Sequence, residues 1–374
     1  MGNLHIIEAT LSDQTGHAHS HILSILQANS TYQYPIHVWL DKRGKSLFND
    51  LSCSVHAYFH RRFRRVQKLF LYFKLLRSND IIFVTTSELL DLQIISFYSK
   101  ILPSKAKVFL YFHQFKQTIR KLAILKKIAK DPQHIQILTS TDKLENIFRQ
   151  NGYKNCTTIP VPTYSRSHNS NNTTAEFHKI LYAGAARADK GFPLVVNLLQ
   201  YLRQKNIQIP FEIQISMPHS QRYDAPTAQA LKILKNLPKD HLQLHHLTLE
   251  RAQYLQQFNN AICLLLYENS YFHDKISGVA LDAFYAGCPL ITVSGIWIGE
   301  VVEKFNAGIV LADLELTKIH SAIETVIANY AFFQANARKA AYVLQKIHDP
   351  LNTLAHVLQI DHAFAAAEPT FATP

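Results

Sequence analysis

Asp274-Lys-Ile-Ser-Gly-Val-Ala-Leu-Asp282, continued by Ala-Phe-Tyr-Ala-Gly287-Cys-Pro289-Leu-Ile-Thr, is the stretch on which the reading of this chain turns. A Ser-Gly pair stands where a short helix would open, Gly287 where it would stop, and an apolar strand follows. Two carboxylates, Asp274 and Asp282, flank the Ser277-Gly278 turn. Backbone N–H groups at Ser277, Gly278 and Val279 would carry the partial positive charge of a helix start, which suits a phosphate. A carboxylate accepts readily from the vicinal hydroxyls of a ribose or a sugar. The ligand suggested joins an anionic group to a polyol, as a nucleotide-sugar does.

Upstream lies a second segment, Lys179-Ile-Leu-Tyr-Ala-Gly184-Ala-Ala-Arg187-Ala-Asp-Lys190-Gly191-Phe. It reads as a strand, a loop of small residues with two basic side chains, and a helix start. Small residues such as Gly184 let the backbone approach a ligand closely, and Arg187 and Lys190 are suited to neutralising a pyrophosphate. In this order and at this separation, the two segments resemble the donor-binding domain of the retaining glycosyltransferases of family 4, which have the GT-B fold. The family's Glu-x7-Glu pattern falls on Asp274 and Asp282, each one methylene shorter. Its Gly-Arg…Lys-Gly loop falls on Gly184, Lys190 and Gly191, with Ala185 where the family carries Arg and Arg187 two positions further on.

The resemblance covers residues 178 to 312. It implies an α/β protein of two Rossmann-like, doubly wound domains facing each other across a cleft. It also implies a metal-independent enzyme with no cofactor, which moves a sugar from a nucleoside-diphosphate-sugar donor to a saccharide or lipid-linked acceptor and retains the anomeric configuration. In that frame Asp282 would hold the ribose and Asp274 the hydroxyls of the transferred sugar. Lys190, Arg187 and the amides around Ser277 and Gly278 would stabilise the leaving diphosphate. No side chain is identifiable as a covalent nucleophile of the paired-carboxylate kind. Reaction on one face of the sugar, with the leaving phosphate aiding deprotonation, is what the family implies.

The rest of the chain sets the frame. With 374 residues, 47 % of them apolar, there is material for two ordinary domains. Strand-like runs stand at His5–Ala9, Ile36–Leu40, Ser54–Phe59, Asp80–Thr85, Lys107–His113, Ile135–Ser140 and Thr157–Val161, with helical patterns between most of them. After the polar, aperiodic stretch 162–178 they resume at Lys179–Ala183, Phe211–Met217, Leu242–Leu247, Ala261–Tyr267, Pro289–Ser294 and Gly308–Leu311. Such alternation builds parallel sheets with helices on both faces. The expected division is an acceptor-side domain over 1–165, a donor-binding domain over 166–350, and a C-terminal helix and tail over 351–374 that packs back on the first domain. Four cysteines without paired spacing are expected as free thiols of a reducing compartment. No leader or bilayer-length apolar run is visible, so a cytoplasmic location, peripheral to the membrane at most, is the expectation.

Several further features are open to more than one use. In the resembled family the loop after the first strand is glycine-rich and lies near the donor phosphates and the acceptor; here Gly16 alone remains, and a generic strand-to-helix connection explains the loop about as well. His17, His19 and His21 alternate, a spacing that fits a strand face but not helical metal ligands, and no metal site is expected. His113, at the carboxyl end of a strand, is equally suited to contact with the donor sugar and to a structural hydrogen bond. Glu268 competes with Asp274 for the sugar, but its spacing to Asp282 departs from the pattern. Segment 61–77 is the densest basic run. On a helix Arg61, Arg64, Arg65 and Lys68 would share a cationic face toward solvent or anionic lipid, with Phe63, Val66, Phe70 and Phe73 packed on the other side. The formal charge of +12 calls for an anionic partner without choosing among phosphate ligand, membrane surface and nucleic acid. No nucleic-acid motif is present, and no nucleic-acid partner is expected. Two other functions remain open: a nucleotide-sugar epimerase of the same fold, and a scaffold or nucleic-acid-binding protein on a decayed frame of this kind.

Overall fold

Apolar runs bounded by polar turns become the strands of two parallel sheets. The computed structural model describes residues 2–14, 17–129, 135–163, 176–218 and 222–360. Gly16 and most of the polar stretch 162–178 lie outside the described residues. The chain divides into two units, Met1–Tyr164 with Lys346–Pro374, and Ser165–Gln345.

In the first unit the strands are β1 Leu4–Glu8, β2 Ile36–Asp41, β3 Ser54–Phe59, β4 Ile81–Val84, β5 Lys107–Phe112, β6 Ile135–Thr139 and β7 Cys156–Thr158. They form one parallel sheet in the order β3-β2-β1-β4-β5-β6-β7. Its helices are α1 His17–Ala28, α2 Arg64–Leu75, α3 Leu89–Ile101, α4 Ile119–Ile128 and α5 Asp142–Gln150. The second unit has β8 Lys179–Tyr182, β9 Phe211–Gln214, β10 Leu242–His245, β11 Ala261–Leu265, β12 Leu290–Val293 and β13 Gly308–Leu311, in the order β10-β9-β8-β11-β12-β13. Between and after them run α6 Phe192–Gln204, α7 Ala225–Asn236, α8 Arg251–Gln256, α9 Asn269–Phe272, α10 Gly278–Tyr285, α11 Trp297–Phe305, α12 Leu316–Ala328 and α13 Tyr330–Ile347. A last helix, α14 Pro350–Leu358, belongs to the first unit and packs beside α1.

Each sheet carries an apolar cluster on either face, so its inner strands are buried on both sides; β4 and β11 have no exposed residue. Both sheets are doubly wound, and the strand order reverses between β1 and β4 in one and between β8 and β11 in the other. Ligands of such sheets sit beyond the carboxyl ends of the strands at these reversals. The sequence stretches read as strands overlap all thirteen strands of the described residues, but several run past the last ladder residue. Leu266 and Tyr267 have left the ladder yet stay within 2 % exposure, so their apolar character marks burial rather than pairing.

The basic segment departs from expectation. Arg61 to Phe63 precede the helix, which starts at Arg64. Lys68 is no part of a solvated cationic face: its ammonium lies 2.7 Å from Asp91 of α3, a fully buried carboxylate that also accepts from Tyr72 Oη at 2.6 Å. The core side of α2 is therefore Lys68, Leu71, Tyr72 and Leu75. Phe63, Val66, Phe70 and Phe73 face outward, and Arg64 turns aside to Asp41. The helix carries two apolar stripes on opposite sides, and the buried acid on α3 decides which one packs. A pattern confined to one helix does not contain that information.

Candidate active site

The two segments singled out in the sequence leave from β8 and β11, neighbouring strands at the reversal of the second sheet, which is why they meet across ninety positions. After β8 the chain turns through Gly184 at φ +95°, whose N–H donates to Gln214 Oε1 at 2.7 Å. A 3-10 turn over Ala188–Lys190 follows, and Gly191 at φ +75° starts α6. The second glycine is obligatory twice over. Its conformation disfavours any side chain, and a Cβ there would run into the Leu266 carbonyl at the end of β11. Glu268 N–H donates to the Asp189 carbonyl at 2.9 Å, tying the turn to the chain beyond β11.

Beyond β11 the chain passes through α9 to the start of α10. Ser277 caps that helix, its hydroxyl accepting from Ala280 N–H at 3.3 Å. The amides of Gly278 and Val279 are the remaining first-turn donors, which have no partner within a helix. Gly287, at φ +67°, closes the helix, with Cys288 N–H bonded to the Ala283 carbonyl at 2.9 Å. The two segments touch here: a Cβ on Gly184 would stand 3.5 Å from both Lys190 Nζ and Val279 Cγ2. Gly184, Lys190 and the first turn of α10 thus line one small space.

Its electrostatics are unusual at Lys190. Burial first, and the Arg187 guanidinium second, push this lysine down to about 8. Its ammonium lies over the Tyr267 ring, 5.6 Å from the centroid, and forms no hydrogen bond or ion pair among the described residues. Asp189 is close, but its carboxylate is engaged by Arg187, Nε to Oδ1 at 2.8 Å with Nη2 on Oδ2. Arg187 also stands 5.7 Å from the Tyr271 ring, and Lys275 Nζ lies 3.2 Å from the same centroid.

The carboxylates are disposed differently. Asp274 is 5 % exposed, in the loop between α9 and α10. Asp282, one turn into α10, is held by Arg251 at the start of α8 through two bonds, 2.8 Å and 3.2 Å. Glu268 is exposed at the cap of α9 and accepts from Ser270.

His113 belongs to the first unit, just past β5. Its Nε2 lies 2.8 Å from the Thr85 carbonyl, an acceptor only, so Nε2 carries the proton. Burial lowers this histidine to about 4, against the opposing effect of that bond, and the ring is neutral around pH 7. Thr85 also donates its hydroxyl to Glu8 Oε2 at 2.9 Å, so Glu8, Thr85 and His113 form one polar group at the reversal of the first sheet. Residues that sequence reasoning passed over are Gln214, Arg251, Tyr267, Tyr271 and Lys275. Lys275 sat inside the quoted motif, between Asp274 and Ser277. Arg251 had no motif around it and is brought to Asp282 by the β10–α8 connection alone. Among the described residues, no group of three or more His, Cys, Asp or Glu side chains is arranged to hold a metal ion.

No family model matches the sequence, and no curated protein matches it either. Solved structures are similar along nearly the whole chain. Sucrose-phosphate synthase from Thermosynechococcus elongatus shares 12 % identity at a TM-score of 0.68, over 96 % of this chain and 98 % of that one. Anabaena HepE in complex with UDP and glucose shares 12 % at 0.69, over 96 % and 99 %. A glycosyltransferase from Rickettsia africae shares 11 % at 0.71, again over 96 % and 99 %. At such identities the likeness establishes the fold, which is GT-B.

Proposed function

We propose that this chain is a glycosyltransferase that takes its sugar from a nucleoside-diphosphate-sugar and retains the anomeric configuration, as the family 4 enzymes that its motifs resemble do. One observation carries the reading: Lys190 holds a sheltered ammonium without a carboxylate of its own, in the space formed by Gly184 and the first turn of α10. Lys68 and Lys179, by contrast, are paired with Asp91 and Glu212. A cation left uncompensated beside free helix N–H groups is a preformed site for a diphosphate.

The roles follow from chemistry. As the bond from the anomeric carbon to the diphosphate breaks, negative charge grows on the leaving oxygen, and Lys190 with the Gly278 and Val279 amides stabilises it there. Arg187, already shared with Asp189, adds a second cation at the rim. Asp282 accepts from the ribose hydroxyls once Arg251 releases it, and buried Asp274 holds hydroxyls of the donor sugar. His113, neutral and protonated on Nε2, serves to position rather than to protonate. The acceptor is a saccharide or a lipid-linked saccharide, in synthesis of a bacterial surface polysaccharide or glycolipid. Likeness to HepE, solved with UDP-glucose, makes a UDP-sugar the first donor to test.

A panel of UDP-, GDP-, ADP- and dTDP-sugars scored by thermal shift, then by turnover with crude lipid and oligosaccharide acceptors, tests the proposal. One nucleotide should stabilise the protein, and Lys190→Ala should abolish that shift and lower turnover about a hundredfold. Isomerisation of free nucleotide-sugar without an acceptor would replace the transferase by an epimerase.

A further inference from the structure

We infer that the outer stripe of α2, continued onto α3, is a docking surface for an anionic lipid bilayer that works by insertion of aromatic side chains. The inference stands on the first unit alone and is independent of the nucleotide site. Phe63, Val66, Phe70 and Phe73 recur at the spacing of one helix face, and they are 62 %, 50 %, 67 % and 39 % exposed. Phe97 and Ile101 of α3, each 58 % exposed, extend the patch, with Phe73 and Tyr98 rings 5.6 Å apart at the seam. Apolar side chains this exposed and this contiguous mark an interaction surface.

Charge selects the partner. Segment 61–77 contains no Asp or Glu, and Arg61, Arg62, Arg65, Lys74 and Arg77 stand exposed around the stripe. Aromatic residues with a border of Arg and Lys make up the pattern of a helix lying in the headgroup layer of an anionic leaflet. The buried Lys68–Asp91 pair fixes the rotation of α2, so the stripe is held outward by the fold. No helix among the described residues is long and apolar enough to cross a membrane. The cations steer and the phenylalanines hold, which predicts binding that salt weakens without abolishing.

The full chain is tested by flotation with vesicles of phosphatidylcholine alone and with phosphatidylglycerol added. Binding should need the anionic lipid, and Phe63→Ser with Phe70→Ser should lower it at least tenfold while thermal stability and nucleotide binding stay at the parent level. Phe70→Trp should show a blue-shifted emission, quenched by brominated acyl chains, on the anionic vesicles only. Unchanged flotation of the double variant, or a Phe70→Trp emission insensitive to lipid, would overturn the inference. So would concentration-dependent dimerisation without lipid that the double variant abolishes, since the stripe would then be covered by a second copy.

Discussion

Raising the pH from 7 to 9 isolates Lys190 from the rest of the site. A lysine brought to about 8 is charged in roughly nine molecules of ten at pH 7 and in roughly one of ten at pH 9. A diphosphate is ionised throughout that interval, the second ionisation of a phosphate lying near pH ~6. It binds the charged form of the lysine and raises its pKa in the complex. The dissociation constant for UDP should therefore rise about tenfold between pH 7 and 9, with uptake of about half a proton per UDP at pH 8. Calorimetry in two buffers of unlike ionisation enthalpy reads both quantities. Lys190→Met should bind roughly ten- to a hundredfold more weakly at pH 7, the worth of a charge-assisted bond, and show no slope. The sign for stability is opposite. Because the native pKa lies below the unfolded one, stability rises with pH between about 8 and 10.5, and below 8 the native chain carries a penalty of at most about 3 kcal/mol, an upper bound because the residue keeps some access to water. Without ligand, Lys190→Met should thus be the more stable protein at pH 7. A parent constant independent of pH, or a slope that survives in Lys190→Met, refutes the assignment.

Other perturbations separate the remaining roles. Asp282→Asn should weaken UDP itself, whereas Asp274→Asn should leave UDP binding intact and reduce sugar transfer; equal loss of nucleotide affinity in both contradicts the division. Lys68→Ala strands the Asp91 carboxylate in the core and should cost about 3 kcal/mol in denaturant unfolding, and a cost near zero would mean the pair does not fix α2. Acid should destabilise the first unit before its carboxylates titrate. His348, 1 % exposed with Nδ1 on the Val161 carbonyl, is lowered to about 4 by burial, so the unfolded chain takes up a proton from pH 6.5 downward that the native chain refuses. Stability should fall by up to about 3 kcal/mol between pH 6.5 and 4 on this account, and His348→Gln should blunt the fall.

What was legible in the sequence was what local pattern encodes. The alternation of apolar runs with helical stretches marked the strands of the described residues and the doubly wound class, because parallel strands buried on both faces must be apolar throughout. Gly184, Gly191, Ser277 and Gly287 were readable since each answers a backbone need of its own turn or cap. What escaped lay in pairings between distant elements. Arg251 reaches Asp282 from another helix, Asp91 reverses the facing of α2, and Thr85 claims the His113 proton. Each is a hydrogen bond between segments whose separation carries no periodic signal, and each changes what a residue named from the sequence is free to do.

The treatment of charge carries the proposed link from fold to function. Among the described residues Lys68 and Lys179 are neutralised by carboxylates, which offsets the cost of their burial. At Lys190 the neighbouring acid, Asp189, is turned to Arg187 instead. Had Asp189 paired with Lys190, the free protein would be more stable and a diphosphate would have to displace a carboxylate to bind. In the proposed reaction, leaving the ammonium against a tyrosine ring would transfer that stabilisation to the ligand: the penalty carried by the free site would be relieved when an anion enters, and most fully when charge is greatest, on the departing diphosphate. On the proposed function, a site arranged in this way would favour the transition state over the bound donor, with the burial of Lys190 in the free protein as the source of that preference.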